Sequence, residues 1–209
     1  SLADHSMPFL KPQDLQDALE ITCQVAAALL KETGNPYKGV MYGGFIATKD
    51  GVKLLEYNAR FGDPEAMNIL PLLKTDFVEV CRHIIAGTLD TLKIEFDQKA
   101  TVCKYVVPKG YGLPADHPDA ASSKAKIEVG NVGKARLYYS SVDQKADGLY
   151  LSSSRAIGIV GIADTLAEAR KIAEEGVKAV KGPVAYRGDI GTDALIQKRV
   201  EHMKKIRKD

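Results

Sequence analysis

Long apolar runs are missing from this chain. No stretch approaches the roughly 18 consecutive apolar residues of a membrane-spanning helix, and the first residues carry no leader pattern. Cysteine is scarce: Cys23, Cys81 and Cys103 lie far apart, with no C-x-x-C. An odd number at such spacing fits neither a secreted disulfide framework nor a zinc site. The expectation is buried, reduced thiols in a cytoplasmic protein. Charge of one sign is not in excess either. A net charge of +2 is too small to argue for nucleic acid or a membrane surface as partner. Basic residues thicken only from Lys198 to Lys208, which reads as a solvated helix face. Neither glycine-rich phosphate loop, G-x-x-x-x-G-K-[ST] or G-x-G-x-x-G, occurs. Internal repeats and low-complexity segments are absent too.

What is present is an ordinary globular composition, 45% apolar and 27% charged over 209 residues, enough for one large or two small domains. Leu15, Ala18, Leu19, Thr22, Ala26, Leu29 and Leu30 recur at helical spacing and predict a helix from Pro12 to Thr33. Pro12 suits its first turn and Gly34 its stop. Two strands follow, Lys38–Thr48 and Val52–Asn58, joined through Lys49-Asp50-Gly51 as a hairpin. Gly43 and Gly44 inside the first strand mark either close approach by a ligand or backbone, or a bulge. Pro64 or Glu65 opens a short helix that Pro71 interrupts. Asp76 caps the next, with Phe77, Val80, Cys81, Ile84 and Ile85 on its apolar face and Gly87 after it. Beyond Asp97 come short strands at Ala100–Val107, Lys126–Val129, Lys134–Ser140, Gly148–Leu151 and Ala156–Ile162, with a Pro- and Gly-rich loop over Pro108–Pro118. Thr165-x-x-Glu168 is a capping box opening a helix to about Val180, and a tail helix begins near Asp193.

The most informative run is Leu54-Leu55-Glu56-Tyr57-Asn58-Ala59-Arg60-Phe61-Gly62-Asp63-Pro64-Glu65. Alternate strand residues share a face, so Glu56, Asn58 and Arg60 are expected to project together, with Leu54 behind them. A carboxylate and an amide oxygen beside a guanidinium are what a Mg-nucleotide site needs; a solvated strand face is the plain alternative. Gly62-Asp63-Pro64-Glu65 turns into a helix whose first N–H groups can hold an anion, and Asp63 can hold an ammonium or simply cap that helix.

This run resembles the signature of the phosphoribosylamine–glycine ligase (glycinamide ribonucleotide synthetase) family of ATP-grasp enzymes. Every position of Glu-x-Asn-x-Arg-Phe-Gly-Asp-Pro-Glu matches. The similarity continues upstream through Asn35-Pro36-Tyr37-Lys38-Gly39-Val40-Met41-Tyr42-Gly43-Gly44, and downstream through Ser152-Ser153-Ser154-Arg155 and Arg187-Gly188-Asp189-Ile190-Gly191. The resemblance implies an α+β chain. Its first part, 1–97, would be the second lobe of an ATP-grasp domain, an antiparallel sheet with helices. Its second part, 98–209, would be a small mixed α/β C-terminal domain. Family members are roughly twice as long, so the resemblance implies the C-terminal half of the enzyme, with an N-terminal half as partner. The implied cofactors are ATP and Mg²⁺ or Mn²⁺, and the implied substrates glycine and 5-phosphoribosylamine, joined through a glycyl phosphate in purine biosynthesis.

On that resemblance Glu56 and Asn58 are the metal and nucleotide ligands, and Leu54 flanks adenine or is core. Arg60 stabilises the transferring phosphoryl group or makes a surface ion pair. Asp63 takes glycine, and Arg155 takes the ribose phosphate. Arg187 is a second phosphate contact or only the partner of Asp189. Lys104 and Lys109 are weaker anion candidates. His5, His83, His117 and His202 share no ligand spacing, and His83 reads as structural. Two other readings compete: a noncatalytic ATP-grasp-derived subunit or interaction module, and another ATP-grasp ligase such as a carboxylase relative. The run from Arg60 to Glu65 disfavours the second of these.

Overall fold

The computed structural model describes residues 1–114, 116–118 and 124–207; Ala115 of the expected loop and Lys208 of the basic tail lie outside the described residues. In chain order the elements are β1 (Leu2–Ala3), α1 (Pro12–Thr33), β2 (Tyr42–Thr48), β3 (Gly51–Asn58), α2 (Glu65–Ile69) and α3 (Phe77–Ala86). After them come β4 (Ala100–Pro108), β5 (Lys126–Val129), β6 (Arg136–Tyr139), β7 (Val142–Lys145), β8 (Gly148–Leu151), β9 (Ile157–Ala163), α4 (Leu166–Lys178), β10 (Val180–Lys181), β11 (Val184–Ala185) and α5 (Asp193–Arg207). The mixed α+β expectation holds, and every strand pairing described is antiparallel. The chain divides into two compact units: residues 1–5, 67–71 and 98–195 form one, and 6–66, 72–97 and 196 onward the other.

The unit built on β4 holds the better core. Its larger sheet runs β1-β4-β9-β6, with β11 also on β4, and a second sheet runs β10-β5-β8-β7. Strand β4 is a nearly continuous buried run, as a central strand covered on both faces must be. Val106, Ile127, Leu151, Ile157, Ile159 and Val177 close one apolar cluster; Val102, Ala169 and Ala173 close another under α4. Helix α4 approaches β9 at Gly161, where a Cβ would lie 1.9 Å from the Ala169 carbonyl oxygen. Only glycine permits that backbone-to-backbone contact. Thr165 caps α4 by accepting from the Glu168 backbone N–H, as expected. Strand β7 has no counterpart in the sequence reading because Val142-Asp143-Gln144-Lys145 shows almost no apolar alternation; its pairing with β8 across a two-residue turn decides it.

In the other unit α1 spans the expected residues, closed by Gly34 at φ 70°. Asp76 caps α3 by accepting from Val78 and Glu79 N–H, and Gly87 ends it at φ 74°. The α3 apolar face is less covered than its pattern predicts: Val80 is buried, but Phe77 is 41% and Ile85 72% exposed. His83 is structural as expected, its Nδ1 lying 2.9 Å from the Thr88 hydroxyl and 3.0 Å from the Thr88 carbonyl. The thiol expectation needs correcting: Cys103 is buried, Cys81 is half-buried and Cys23 is exposed on α1. No described helix is long and apolar enough to cross a membrane.

Candidate functional site

Strands β2 and β3 make a two-stranded hairpin whose register decides the site. Tyr42 pairs with Asn58, Gly43 with Tyr57 and Gly44 with Glu56; then Phe45 pairs with Leu54, so Leu55 is an extra residue in β3. Such a bulge reverses the alternation of the strand that carries it. Directly opposed residues share a face, so Glu56 and Asn58 lie with Tyr42, Gly44 and, two residues further along the regular strand β2, Ile46. Leu54 lies with Phe45 on the opposite face, where Tyr57 also sits and its hydroxyl meets Thr22 of α1 at 2.7 Å. The expectation that Leu54 backs Glu56 on one face is therefore wrong. Alternation alone cannot reveal a bulge. The apolar side chain on the Glu56 face is Ile46, 48% exposed. Of the two readings of the paired glycines the bulge is the one realised, at Gly44/Phe45; a Cβ on Gly43 would strike the side-chain rings of Phe45 and Tyr57, not another backbone.

Asn58 Nδ2 donates to Glu56 Oε1 at 3.1 Å. The amide nitrogen, which is no metal ligand, is thereby engaged, leaving Asn58 Oδ1 and Glu56 Oε2 as oxygen donors. A hard divalent cation wants such donors, and Mg²⁺ commonly takes only one or two protein side chains with phosphates and water completing its shell. Among the described residues no three His, Cys, Asp or Glu side chains converge as a ligand set. The pair therefore fits a metal held jointly with a nucleotide and not an all-protein cage.

The Gly62–Glu65 turn is built against this face. Tyr42 hydrogen-bonds Glu65, and its phenol is pushed up first by burial, then by the Glu65 carboxylate, then by Glu56. Tyr42 thus stays a neutral donor between two acidic side chains. A Cβ on Gly62 would lie 2.9 Å from the Tyr42 ring and 2.5 Å from Glu65 Oε2. Neither Tyr42 nor Glu65 was assigned a role from sequence, although both stand inside the matched motifs; cross-strand pairing with Asn58 is the signal for Tyr42. Asp63 and Arg60 are exposed, and Arg60 Nη1 donates to the Phe61 carbonyl at 2.7 Å. Helix α2 has only five residues and passes into a 3₁₀ turn at Leu70–Leu72. That is too short for the helix-terminal anion site expected there.

In the other unit the expected phosphate residues are not gathered. Arg155 stacks over Tyr105 at 5.2 Å. The Ser152 hydroxyl donates to the Ser141 carbonyl, between β6 and β7, at 2.9 Å and accepts Ser154 N–H at 3.1 Å; Ser153 and Ser154 are exposed. Arg187 and Asp189 form a bidentate pair at 3.0 and 2.6 Å, which realises the ion-pair alternative. The pairing pushes the Arg187 guanidinium up and the Asp189 carboxyl down. Lys104, weighed as an anion contact, is fully buried and bound to Glu174 and, at 3.1 Å, to the Gly188 carbonyl. Burial opposes ionisation of Glu174, but Lys104 and the Tyr186 hydroxyl, 3.0 Å away, outweigh it and hold the carboxyl low. Neighbouring strand residues face opposite sides, so Tyr105 with Arg155 and Lys104 with the 186–189 segment mark opposite faces of β4.

Two family models match the chain. Residues 3–66 match the phosphoribosylglycinamide synthetase ATP-grasp (A) domain, and residues 101–193 the C domain of the same synthetase. The phosphoribosylamine–glycine ligase of Methanocella arvoryzae is 49% identical over 96% of this chain and 45% of its own length. That of Methanocaldococcus jannaschii is 47% identical over the whole chain and 46% of its own length. The chain thus spans about half the length of the curated relatives it matches. A phosphoribosylamine–glycine ligase crystal structure from Thermotoga maritima superposes with TM-score 0.67 at 25% identity, over 86% of this chain and 44% of the other. A biotin carboxylase domain from Hydrogenobacter thermophilus, at 18% identity and TM-score 0.57 over 97% of this chain and 41% of the other, shares the fold.

Proposed function

This chain belongs to the phosphoribosylglycinamide synthetase family, and on that premise we propose that it is the C-terminal half of a phosphoribosylamine–glycine ligase. Its reaction joins glycine to 5-phosphoribosylamine with ATP. The glycine carboxylate attacks the γ-phosphorus, giving glycyl phosphate and ADP; the amine then attacks the acyl carbon and expels phosphate, leaving glycinamide ribonucleotide. The observation that carries this reading is the hairpin register, which sets Glu56, Asn58, Tyr42 and Ile46 on one face.

Glu56 and Asn58 would hold the metal, Mg²⁺ or Mn²⁺, through Oε2 and Oδ1. Bound there, the cation would neutralise the charge of the nucleotide phosphates. Ile46 replaces Leu54 as the apolar side chain against the nucleobase, because it faces the same way as Glu56. The exposed Arg60 guanidinium stabilises charge on the transferring oxygens. Asp63 takes the glycine ammonium, while Tyr42 and Glu65 fix the turn that presents it. Arg155, with Ser153 and Ser154, is the contact for the ribose phosphate; Arg187 is left to Asp189. On the family pattern the ATP-grasp lobe is 1–97 and the C-terminal domain 98–209, while the compact units depart from that division at residues 1–5, 67–71 and 196 onward. Three widely spaced cysteines support a cytoplasmic setting.

The test is ADP release that requires both glycine and 5-phosphoribosylamine, measured with this chain alone and with an N-terminal half supplied. Turnover only on addition is expected. No turnover in either case, with both parts folded, would move the assignment to a noncatalytic module.

A further inference from the structure

Helix α1 carries an apolar arc that this chain only half covers. Ala18, Thr22 and Leu29 are partly buried, and Thr22 meets Tyr57 of the hairpin. Leu15, Leu19 and Leu30 are 64%, 55% and 47% exposed, and Cys23 and Ala26 are exposed with them. At about 100° per residue these five fall in one strip beside the covered one, with Gln16 at its far edge and Glu20 and Gln24 beyond. A strip of that length is more than scattered surface leucines.

The deficit is confined to one unit. The best-buried apolar side chains of the unit holding α1, among the described residues, are Val52, Leu72 and Val80, each still 8% exposed. Ile157, Ile159, Val102 and Val106 in the other unit reach 0%. The hairpin beside α1 is a sheet of two strands, too small to be stable by itself. This is also the unit whose residues match the ATP-grasp (A) domain, and the relatives carry more than half their length outside the match.

We propose that the Leu15–Leu19–Cys23–Ala26–Leu30 strip of α1 is the seat of the remaining part of the ATP-grasp ligase, the portion that the curated relatives carry beyond the length matched here. This rests on the ligase reading above. A second copy of this chain fits less well, because it brings the same two-stranded sheet and the same shortage of core.

Cys23 provides the probe. The portion of the Methanocella arvoryzae ligase outside the matched segment is added to the intact chain, and the Cys23 thiol is titrated with a disulfide reagent; a Cys23→Ser variant identifies its phase. Association is read by sedimentation for the wild type, for Leu15→Glu with Leu19→Glu, and for Ile85→Glu on α3 as a control. The expected result is Cys23 protection of roughly tenfold or more, a similar loss of affinity in the double variant, and wild-type binding by the control. Three results would overturn the proposal: no association by the wild type, association that leaves Cys23 reactive, or a double variant that binds like the wild type. Cys23 protection that rises with the concentration of this chain alone would assign the strip to a second copy instead. Assaying ligase turnover in the same mixtures separates the two ideas. Turnover with Cys23 still reactive sinks the seat and spares the ligase reading; protection without turnover does the reverse.

Discussion

The Glu56 side chain is exposed, and Asn58 Nδ2 donates one hydrogen bond to it. Replacing Glu56 by Ala should therefore leave the melting temperature unchanged while lowering ATP turnover by roughly 100-fold or more in the completed enzyme. Equal turnover would remove Glu56 from the metal site. Gly62 behaves in the opposite way. A methyl group there meets the Tyr42 ring and the Glu65 carboxylate, so Gly62→Ala should cost about 1–3 kcal/mol in urea unfolding and disturb the turn that carries Asp63. Arg155→Ala should raise the apparent KM for phosphoribosylamine more than that for glycine. Equal effects on both would reduce Arg155 to its stacking on Tyr105.

Among the elements, α5 is tied to the start of α1 by a buried pair. Arg207 donates to Asp14, and Asp14 also accepts the Lys11 backbone N–H at 2.7 Å. Burial of Asp14 opposes its ionisation, but the Lys11 N–H and the Arg207 guanidinium outweigh it and hold the carboxyl below its ordinary value. A carboxyl lowered by folding contributes stability that is fully present above its unfolded pKa. The contribution is lost as pH falls through the folded value. Arg207→Met should lose about 1–3 kcal/mol at neutral pH and show a shallower decline in urea midpoint on acidification than the wild type. Parallel pH profiles for the two proteins would show that Asp14 does not depend on this partner. Arg199, over the Phe9 ring at 5.5 Å, adds to the same attachment.

For the whole molecule, the contrast in core quality predicts two stabilities. Strands β4 and β9 pair over seven residues with Val102, Cys103, Val106, Ile157, Ile159 and Val160 at 0% exposure. The β2–β3 hairpin and α1 have no such core. Amide hydrogen exchange should therefore be slowest in β4 and β9 and markedly faster in β2, β3 and α1. Adding the complementary portion should slow the second group only. Uniform protection across both units in the chain alone would contradict this.

The chain's own order of residues determined a good deal. The period of α1, its Pro12 and Gly34 ends, the Asp76 and Thr165 caps and the hairpin at Lys49–Gly51 are local chemistry, and local chemistry is written in neighbouring residues. Glu56 and Asn58 share a face because they are two apart with no bulge between them, and the contiguous run to Glu65 identified the family. What distance in the chain separates, only the tertiary structure decided. The extra residue Leu55 is defined by the strand opposite, so Leu54 turned away and Ile46 turned in without any mark in the pattern. Lys104, a weaker anion candidate in the sequence, is paired with Glu174, 70 residues on. The apolar arc of α1 announced a buried face, but how much of it this chain can cover depends on the area that packs against it. Register, ion pairing across the fold and coverage are relations between distant segments, and a sequence read position by position does not contain them.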